Sequence, residues 1–325
     1  MSEFDLIKRY FYALGPNDQS VLVGPGDDCA VVLPPPNSML CCSIDTLVEG
    51  VHVPHGVDGA HVATRALGSA LSDLAAMGAA PSHFTLALTL PSIDGDWLNR
   101  FSSALAKMAR AYGVSLVGGD TTRGPLTVSI QVHGWLPLDK GLMRSGAEVG
   151  DLLVVSGTLG DAGAGLEIVL SEHSEIAESV DMDLLRDRFF CPRPRLDLGL
   201  SLRDSASSCI DISDGLVSDA RHLANSSNVC LSLNACLLPM SDALVRVFPS
   251  QALEFALGAG DDYELLFTIN PVRFELLAET VDTPLTVIGS VTREQVGDAS
   301  KDDAGVVEVE GIDMTLVKTG YVHFE

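Results

Sequence analysis

Strands and helices mix through both halves of this chain, which predicts an α/β or α+β protein of two domains. Three observations carry that expectation. A length of 325 residues suffices for two ordinary domains. A composition 46% hydrophobic and 20% charged can bury a substantial core and is unlike that of a disordered chain. Short apolar runs that suit strands recur between longer segments of helical periodicity.

The elements follow in order. Phe4, Ile7, Tyr10, Phe11 and Leu14 stand at helical spacing, and Gly15 stops them. Residues 39–44 form an apolar run that ends at Asp45 and suits a strand. Residues 60–77 predict a helix with a buried stripe of Val62, Ala66, Leu67, Ala70, Leu71 and Leu74, closed by Gly78. Asp73 lies off that stripe, beside Ser72. Residues 84–90 suit a buried strand, and 97–112 a helix closed by Gly113. Residues 114–117 form a short strand that delivers Gly118-Gly119-Asp120, and residues 126–136 alternate as another strand. Turn residues fill Pro137 to Gly150, so the domain boundary is set there, giving domains 1–140 and 141–325. The second half opens with a strand at 152–156, a glycine-rich turn over 157–165 and a helix. Residues 208–212 form a strand that opens into Ser213-Asp214-Gly215, with a helix to about Asn225. Strands near 229–234, 263–269 and 285–291 complete it, with helices between them.

The formal net charge of −24 argues against nucleic acid or an anionic membrane as partner. A polyanion such as ATP could bind such a chain only with metal ions or a local basic patch. Seven cysteines with no C-x-x-C pair read as reduced core thiols of a reducing compartment. Met1 to Leu14 has no signal-peptide core, and no apolar run approaches the roughly 20 residues needed to span a bilayer. A soluble cytoplasmic protein is expected.

The chemistry lies in the acids. Asp27-Asp28, Asp45, Asp73, Asp120, Asp211 and Asp214 mostly end apolar stretches or sit at glycines, where a folded chain delivers side chains to a cleft. Seven carboxylates sharing one cleft would repel each other unless cations sat between them. Oxygen-only ligands favour hard cations such as Mg²⁺, and clustered Mg²⁺ points to phosphate chemistry. Gly118-Gly119-Asp120-Thr121-Thr122-Arg123-Gly124 adds two glycines, an acid, hydroxyls and an arginine, a combination that suits a metal–phosphate junction. Asp211-Ile212-Ser213-Asp214-Gly215 stands between a strand and a helix whose positive N-terminus is offered to anions. Each motif alone also fits an ordinary acidic turn, hairpin or helix cap. The chain has no Walker loop, no G-x-G-x-x-G, no H-E-x-x-H and no G-x-S-x-G.

Taken together, GPGDDCAVV, SIDTLVEGVHV, LSDLAAMGA, LVGGDTTRGPL, RSGAEVGD, IDISDGLVSD, GAGDDYELLF and the closing GYVHF resemble the thiamine-monophosphate kinase family, from residue 24 to the C-terminus. The resemblance implies a two-domain aminoimidazole ribonucleotide synthetase-like fold. It implies a homodimer whose N-terminal domains associate into a β-barrel, and ATP-dependent phosphorylation of thiamine monophosphate to thiamine diphosphate. It implies direct phosphoryl transfer using several Mg²⁺ ions. Carried onto this chain, Asp28, Ser43, Asp45, Asp73, Asp120, Asp211 and Asp214 become metal ligands, and Ile44 ligates through its backbone carbonyl. Gly119, Asp120, Arg144 and Ser213 become ATP contacts. His52, Asp262 and Tyr321 become thiamine-phosphate contacts. Asp120, Asp211 and Arg144 form the catalytic set. Two positions depart from the family pattern: Ile44, where Thr is frequent, and Asp261, where Glu is common. The rivals are another ATPase of the same superfamily and a metal-dependent binding scaffold.

Overall fold

The structure, a computed structural model, describes residues 3–15, 20–171, 179–294 and 306–312. The chain divides into two compact units. One is Met1–Leu74 with Ala79–Asp139, and the other is Ala75–Gly78 with Lys140–Glu325.

The first unit starts with helix α1 (Glu3–Tyr10) and a 3₁₀ turn at Tyr12–Leu14. A short antiparallel hairpin pairs β1 (Val21–Val23) with β2 (Val31–Val32). Then come β3 (Ser38–Val48), α2 (Gly59–Ala76), β4 (Ala80–Leu90), α3 (Gly95–Ala111), β5 (Ser115–Arg123) and β6 (Thr127–Pro137). Four of these strands form a sheet in the order β3-β6-β4-β5. The β4–β5 pair is parallel because α3 carries the chain back between them, while the other pairs are antiparallel. Asp94 starts α3 by accepting the amides of Asp96 and Trp97. Strand β6 alternates as its sequence does: Val128, Ile130, Val132 and Leu136 are buried, and Ser129, Gln131, His133 and Trp135 turn to the other face. Helix α2 covers the buried face, since a Cβ at Gly134 would lie 3.3 Å from Leu74.

Strand β5 runs further than its apolar run suggests. It continues through Gly118, Gly119 and Asp120 to Arg123, paired residue by residue with β4. The glycine pair permits this rather than ending it. A Cβ at Gly119 would stand 2.0 Å from the carbonyl oxygen of Leu86, so only glycine lets the two backbones approach there.

The second unit contains β7 (Leu152–Ser156), α4 (Asp161–Leu170), α5 (Val180–Phe190), α6 (Leu196–Leu202), β8 (Ala206–Asp211) and α7 (Leu216–Ser227). It continues with β9 (Val229–Asn234), α8 (Asp242–Val247), α9 (Ala252–Gly258), β10 (Leu265–Ile269), α10 (Pro271–Ala278), β11 (Leu285–Glu294) and β12 (Val306–Glu310). Its six strands lie in the order β12-β9-β11-β7-β10-β8. Only β12–β9 is parallel. Val155, Ile210, Leu231, Leu266 and Ile288 from the sheet meet Val217, Ala220 and Leu223 of α7 in one core. This topology places the start of β10 beside the end of β8, with Leu265 opposite Asp211.

The cysteines depart from the expectation of core thiols. Cys209 and Cys230 are buried, but Cys29, Cys42 and Cys236 are exposed. An apolar run does not bury every member of an edge strand, and Cys42 falls on the outward alternation of β3.

Candidate functional site

In the first unit, β3 and α2 bring three predicted residues together. Ser43 donates its hydroxyl to Asp73 Oδ2 at 2.5 Å. Asp45, two residues along β3, shares the face of Ser43. Its carboxyl is pushed up to about 6, first by burial and then by the charge of Asp73, against the pull of Ser69 and Arg65. Two carboxylates held this close in a half-buried place are short of positive charge. Arg65 is itself buried and donates from Nε to the carbonyl of His52 at 3.2 Å. His52 is held through Nδ1, which accepts the Val48 amide at 3.1 Å. Arg65 thus ties the His52 turn to the Asp45–Asp73 pair. Sequence reading passed over it because a single arginine in an apolar helix carries no motif.

Two other predicted acids of this unit, Asp28 and Asp120, are exposed. Asp28 is exposed in its glycine turn, where its amide bonds Asp27 Oδ1. The Ile44 side chain, 62% exposed, points away from α2. Asp120 follows it. The register Thr46–Ser129–Ala87–Asp120 crosses the sheet on one face, and the 2.7 Å contact between the Thr46 and Ser129 hydroxyls marks that face. It is the face opposite Ser43 and Asp45. Asp120 also lies three strand spacings from β3, about 14 Å across a sheet. Within one copy of this unit Asp120 therefore does not join Asp45 and Asp73. At the ends of β4 and β5, a pocket of about 680 Å³ is lined by Leu6, Leu90, Pro91, Ser92, Ile93, Thr121, Thr122 and Arg123.

In the second unit, Asp211 ends β8 at 5% exposure, and Ser213 and Asp214 follow in a half-exposed turn. A residue outside the predicted set organises that turn. Asp219 Oδ2 accepts the amides of Ser213, Asp214 and Gly215 at 3.1, 3.1 and 3.2 Å. Asp219 is buried, and its carboxyl is pushed up to about 8 by that burial, then by Asp211 and Asp214. This corrects one expectation: the amides leading into α7 are not simply open to an external anion, because an oxygen of Asp219 in its first turn already accepts them. The signal for Asp219 was present as an acid four residues past the glycine of the turn. Arg144 is exposed. Its segment is fixed by Ser227, which donates to the Arg144 carbonyl at 2.9 Å, and by the Cys209 amide, which donates to the Met143 carbonyl at 2.8 Å.

The Gly258–Glu264 turn docks on the same strand end. The Asp261 amide donates to the Ser213 carbonyl, and Tyr263 and Ile212 are joined in the same way. Asp262 takes a different place from the substrate contact assigned to it. It is buried at 3% exposure and accepts the amides of Gly160 and Ala162, capping α4. Burial raises its carboxyl well above the usual carboxylate range. The partly exposed acid of the motif is Asp261, which has φ of +72° and accepts the Tyr263 hydroxyl at 3.2 Å. Beneath it, Glu264 is fully buried and binds Arg188 at 3.0 Å, Arg195 at 2.6 Å and the Ser156 hydroxyl at 2.6 Å. Tyr321 lies outside the described residues.

Comparison with known proteins gives the family. The family model "AIR synthase related protein, N-terminal domain" matches residues 26–136. The thiamine-monophosphate kinase of Escherichia coli (strain K12) is 44% identical over 326 residues, covering 99% of this chain and 98% of that protein. The crystal structure of thiamine-monophosphate kinase from Stenotrophomonas maltophilia K279a is 39% identical with a TM-score of 0.85, over 96% of this chain and 97% of that one. A solved structure of AaThiL complexed with AMPPCP and TMP is 30% identical with a TM-score of 0.78, over 99% of this chain and 97% of that one. At this identity over nearly its whole length, the chain belongs to the thiamine-monophosphate kinase family.

Proposed function

We propose that this protein transfers the γ-phosphoryl group of ATP to thiamine monophosphate, giving thiamine diphosphate and ADP. The single observation that carries the reading is the full-length likeness to thiamine-monophosphate kinases, including one complexed with AMPPCP, a methylene-bridged ATP analogue, and TMP. The acid groups support it. An oxygen of the acceptor phosphate attacks the γ-phosphorus in line, and the bond to the bridging oxygen of ADP breaks. A phosphate monoester is already ionised at neutral pH, so the step needs no general base. The obstacle is repulsion between two anions, so catalysis is positioning plus neutralisation of charge.

The donor sets suit Mg²⁺. Ser43, Asp45 and Asp73 in one unit, and Asp211 and Asp214 in the other, offer oxygen alone, and burial followed by the charge of Asp73 raises the Asp45 carboxyl. Asp28, Asp120 and the Ile44 carbonyl complete the proposed ligands. Bound there, Mg²⁺ would offset the negative charge of both phosphates. Gly119, Arg144 and Ser213 are assigned to ATP, with Arg144 adding a fixed cation. His52, steadied by Val48 and Arg65, is assigned to the acceptor, and Asp261 replaces the inward-turned Asp262 as its partner. No helix among the described residues is long and apolar enough to cross a membrane, and we place the enzyme in the cytoplasm.

We also assign a homodimer. Strands β3 and β5 are the two edges of the four-stranded sheet, and an eight-stranded barrel forms when β5 of each copy meets β3 of the other. That pairing would set the Asp120 strand beside the Asp45 strand of the second copy, with the two acids on opposite faces of the joined sheet.

The test is ADP release from Mg-ATP with product identification. The expected result is one ADP per thiamine diphosphate, with thiamine monophosphate and not with thiamine. ADP released without any acceptor would overturn the reading.

A further inference from the structure

Asp219 belongs to none of the roles assigned above, yet three amides point at one of its oxygens. We propose that Asp219 is a positioning residue that shapes the Ser213–Gly215 turn so that Asp211 and Asp214 present their carboxylates to a divalent cation. This inference rests on the Mg²⁺ reading of that pair.

Three consecutive amides, from Ser213, Asp214 and Gly215, donate to Oδ2 at 3.1–3.2 Å. Asp219 is 2% exposed, so water does not compete for that oxygen. On the other side of the turn, the Ser213 carbonyl accepts the Asp261 amide at 2.9 Å. The turn is thereby clamped from both flanks. It needs the clamp, because Gly215 has φ of +117°, a region in which glycine ranges freely. The same glycine cannot be replaced to stiffen the turn, since a Cβ there would lie 2.7 Å from the Gly258 carbonyl oxygen. With Asp219 lost, three amides would need new acceptors, and Asp214, in the middle of the turn, would lose its fixed direction.

The test measures Mn²⁺ binding to the free full-length protein by electron paramagnetic resonance, with no nucleotide present. The variants are Asp219→Ala, which removes the acceptor, and Asp219→Asn, whose amide oxygen can still take the three N–H groups. The expected result is a loss of tenfold or more in Mn²⁺ affinity for Asp219→Ala, with thermal unfolding still cooperative, and affinity within about threefold of the parent for Asp219→Asn. The Mg²⁺ concentration for half-maximal turnover should move in parallel. Unchanged affinity in Asp219→Ala overturns the proposal. So does a tenfold loss in Asp219→Asn, which would make the charge itself the working part. If Asp219→Ala does not fold, Asp219→Asn decides alone by the same limit. Failure of the parent protein to bind Mn²⁺ would instead sink the metal reading on which this rests.

Discussion

At the scale of single residues, the buried acids near the proposed sites cost stability. Asp45 and Asp219 have carboxyls raised to about 6 and about 8, each by burial first and neighbouring acids second. Asp262 is raised as well. In the unfolded chain all three titrate near 3.8. Between those limits the folded state binds more protons than the unfolded one, so stability falls as pH rises. The metal-free protein should therefore melt at a lower temperature at pH 8 than at pH 5, by roughly 5 °C or more. Mg²⁺ should recover only the Asp45 part of that loss at pH 8, because Asp45 is the one of the three assigned to the metal. Calorimetry in chelator and in Mg²⁺ would check this, and a melting temperature that climbs from pH 5 to pH 8 without metal would refute it. Ser43, Asp45 and Asp73 were legible as a candidate group, although the strand expected to end at Asp45 runs on to Val48. Arg65 and Asp219 were not, because their roles depend on burial and on partners distant in sequence. Nor could the sequence say which of Asp261 and Asp262 turns inward. That depends on a backbone with φ of +72° at Asp261 and +51° at Tyr263, which neither residue favours.

At the scale of elements, the junction of β8 and β10 is set by a buried ion network rather than by apolar packing alone. Glu264 is fully buried and bound by Arg188, Arg195 and Ser156. A Cβ on Gly157 would collide with its carboxylate at 2.3 Å, so the neighbouring turn is built around that side chain. Replacing it with alanine leaves a buried guanidinium without its main counter-charge. Glu264→Ala should cost about 3–5 kcal/mol in urea unfolding, and Glu264→Gln clearly less because it keeps the acceptor oxygen. Equal losses in the two variants would show that the charge, not the hydrogen bonding, holds the junction. The strand period made β4, β6, β7 and β9 legible, since their alternation or apolar runs are uninterrupted. Strand β5 was shortened in the reading because two glycines look like a turn until the neighbouring backbone is seen to need them. The order of strands in either sheet was not legible, because it depends on crossovers that no local pattern encodes.

At the scale of the whole molecule, the placement of Asp120 decides how many chains make one active site. Ser43, Asp45 and Asp73 share the helix-covered face of β3, while Asp120 lies on the opposite face at the far edge of the same sheet. If a site spans the dimer, it takes Asp45 from one copy and Asp120 from the other. Asp45→Asn and Asp120→Asn homodimers should then both be inactive, while the mixed dimer holds one site with neither substitution. Random reassortment makes half of the dimers mixed, each with one of two sites intact, so about a quarter of parental activity should return. If both acids of a site came from one copy, every site in the mixed dimer would carry one lesion and no activity would return. Co-expression with two different affinity tags would isolate the mixed dimer, where the expected recovery doubles to about half. Recovery that appears only after exchange, and that scales with the mixed fraction, would locate Asp120 across the interface. Silence in a purified mixed dimer of normal stability would return Asp120 to the site of its own chain.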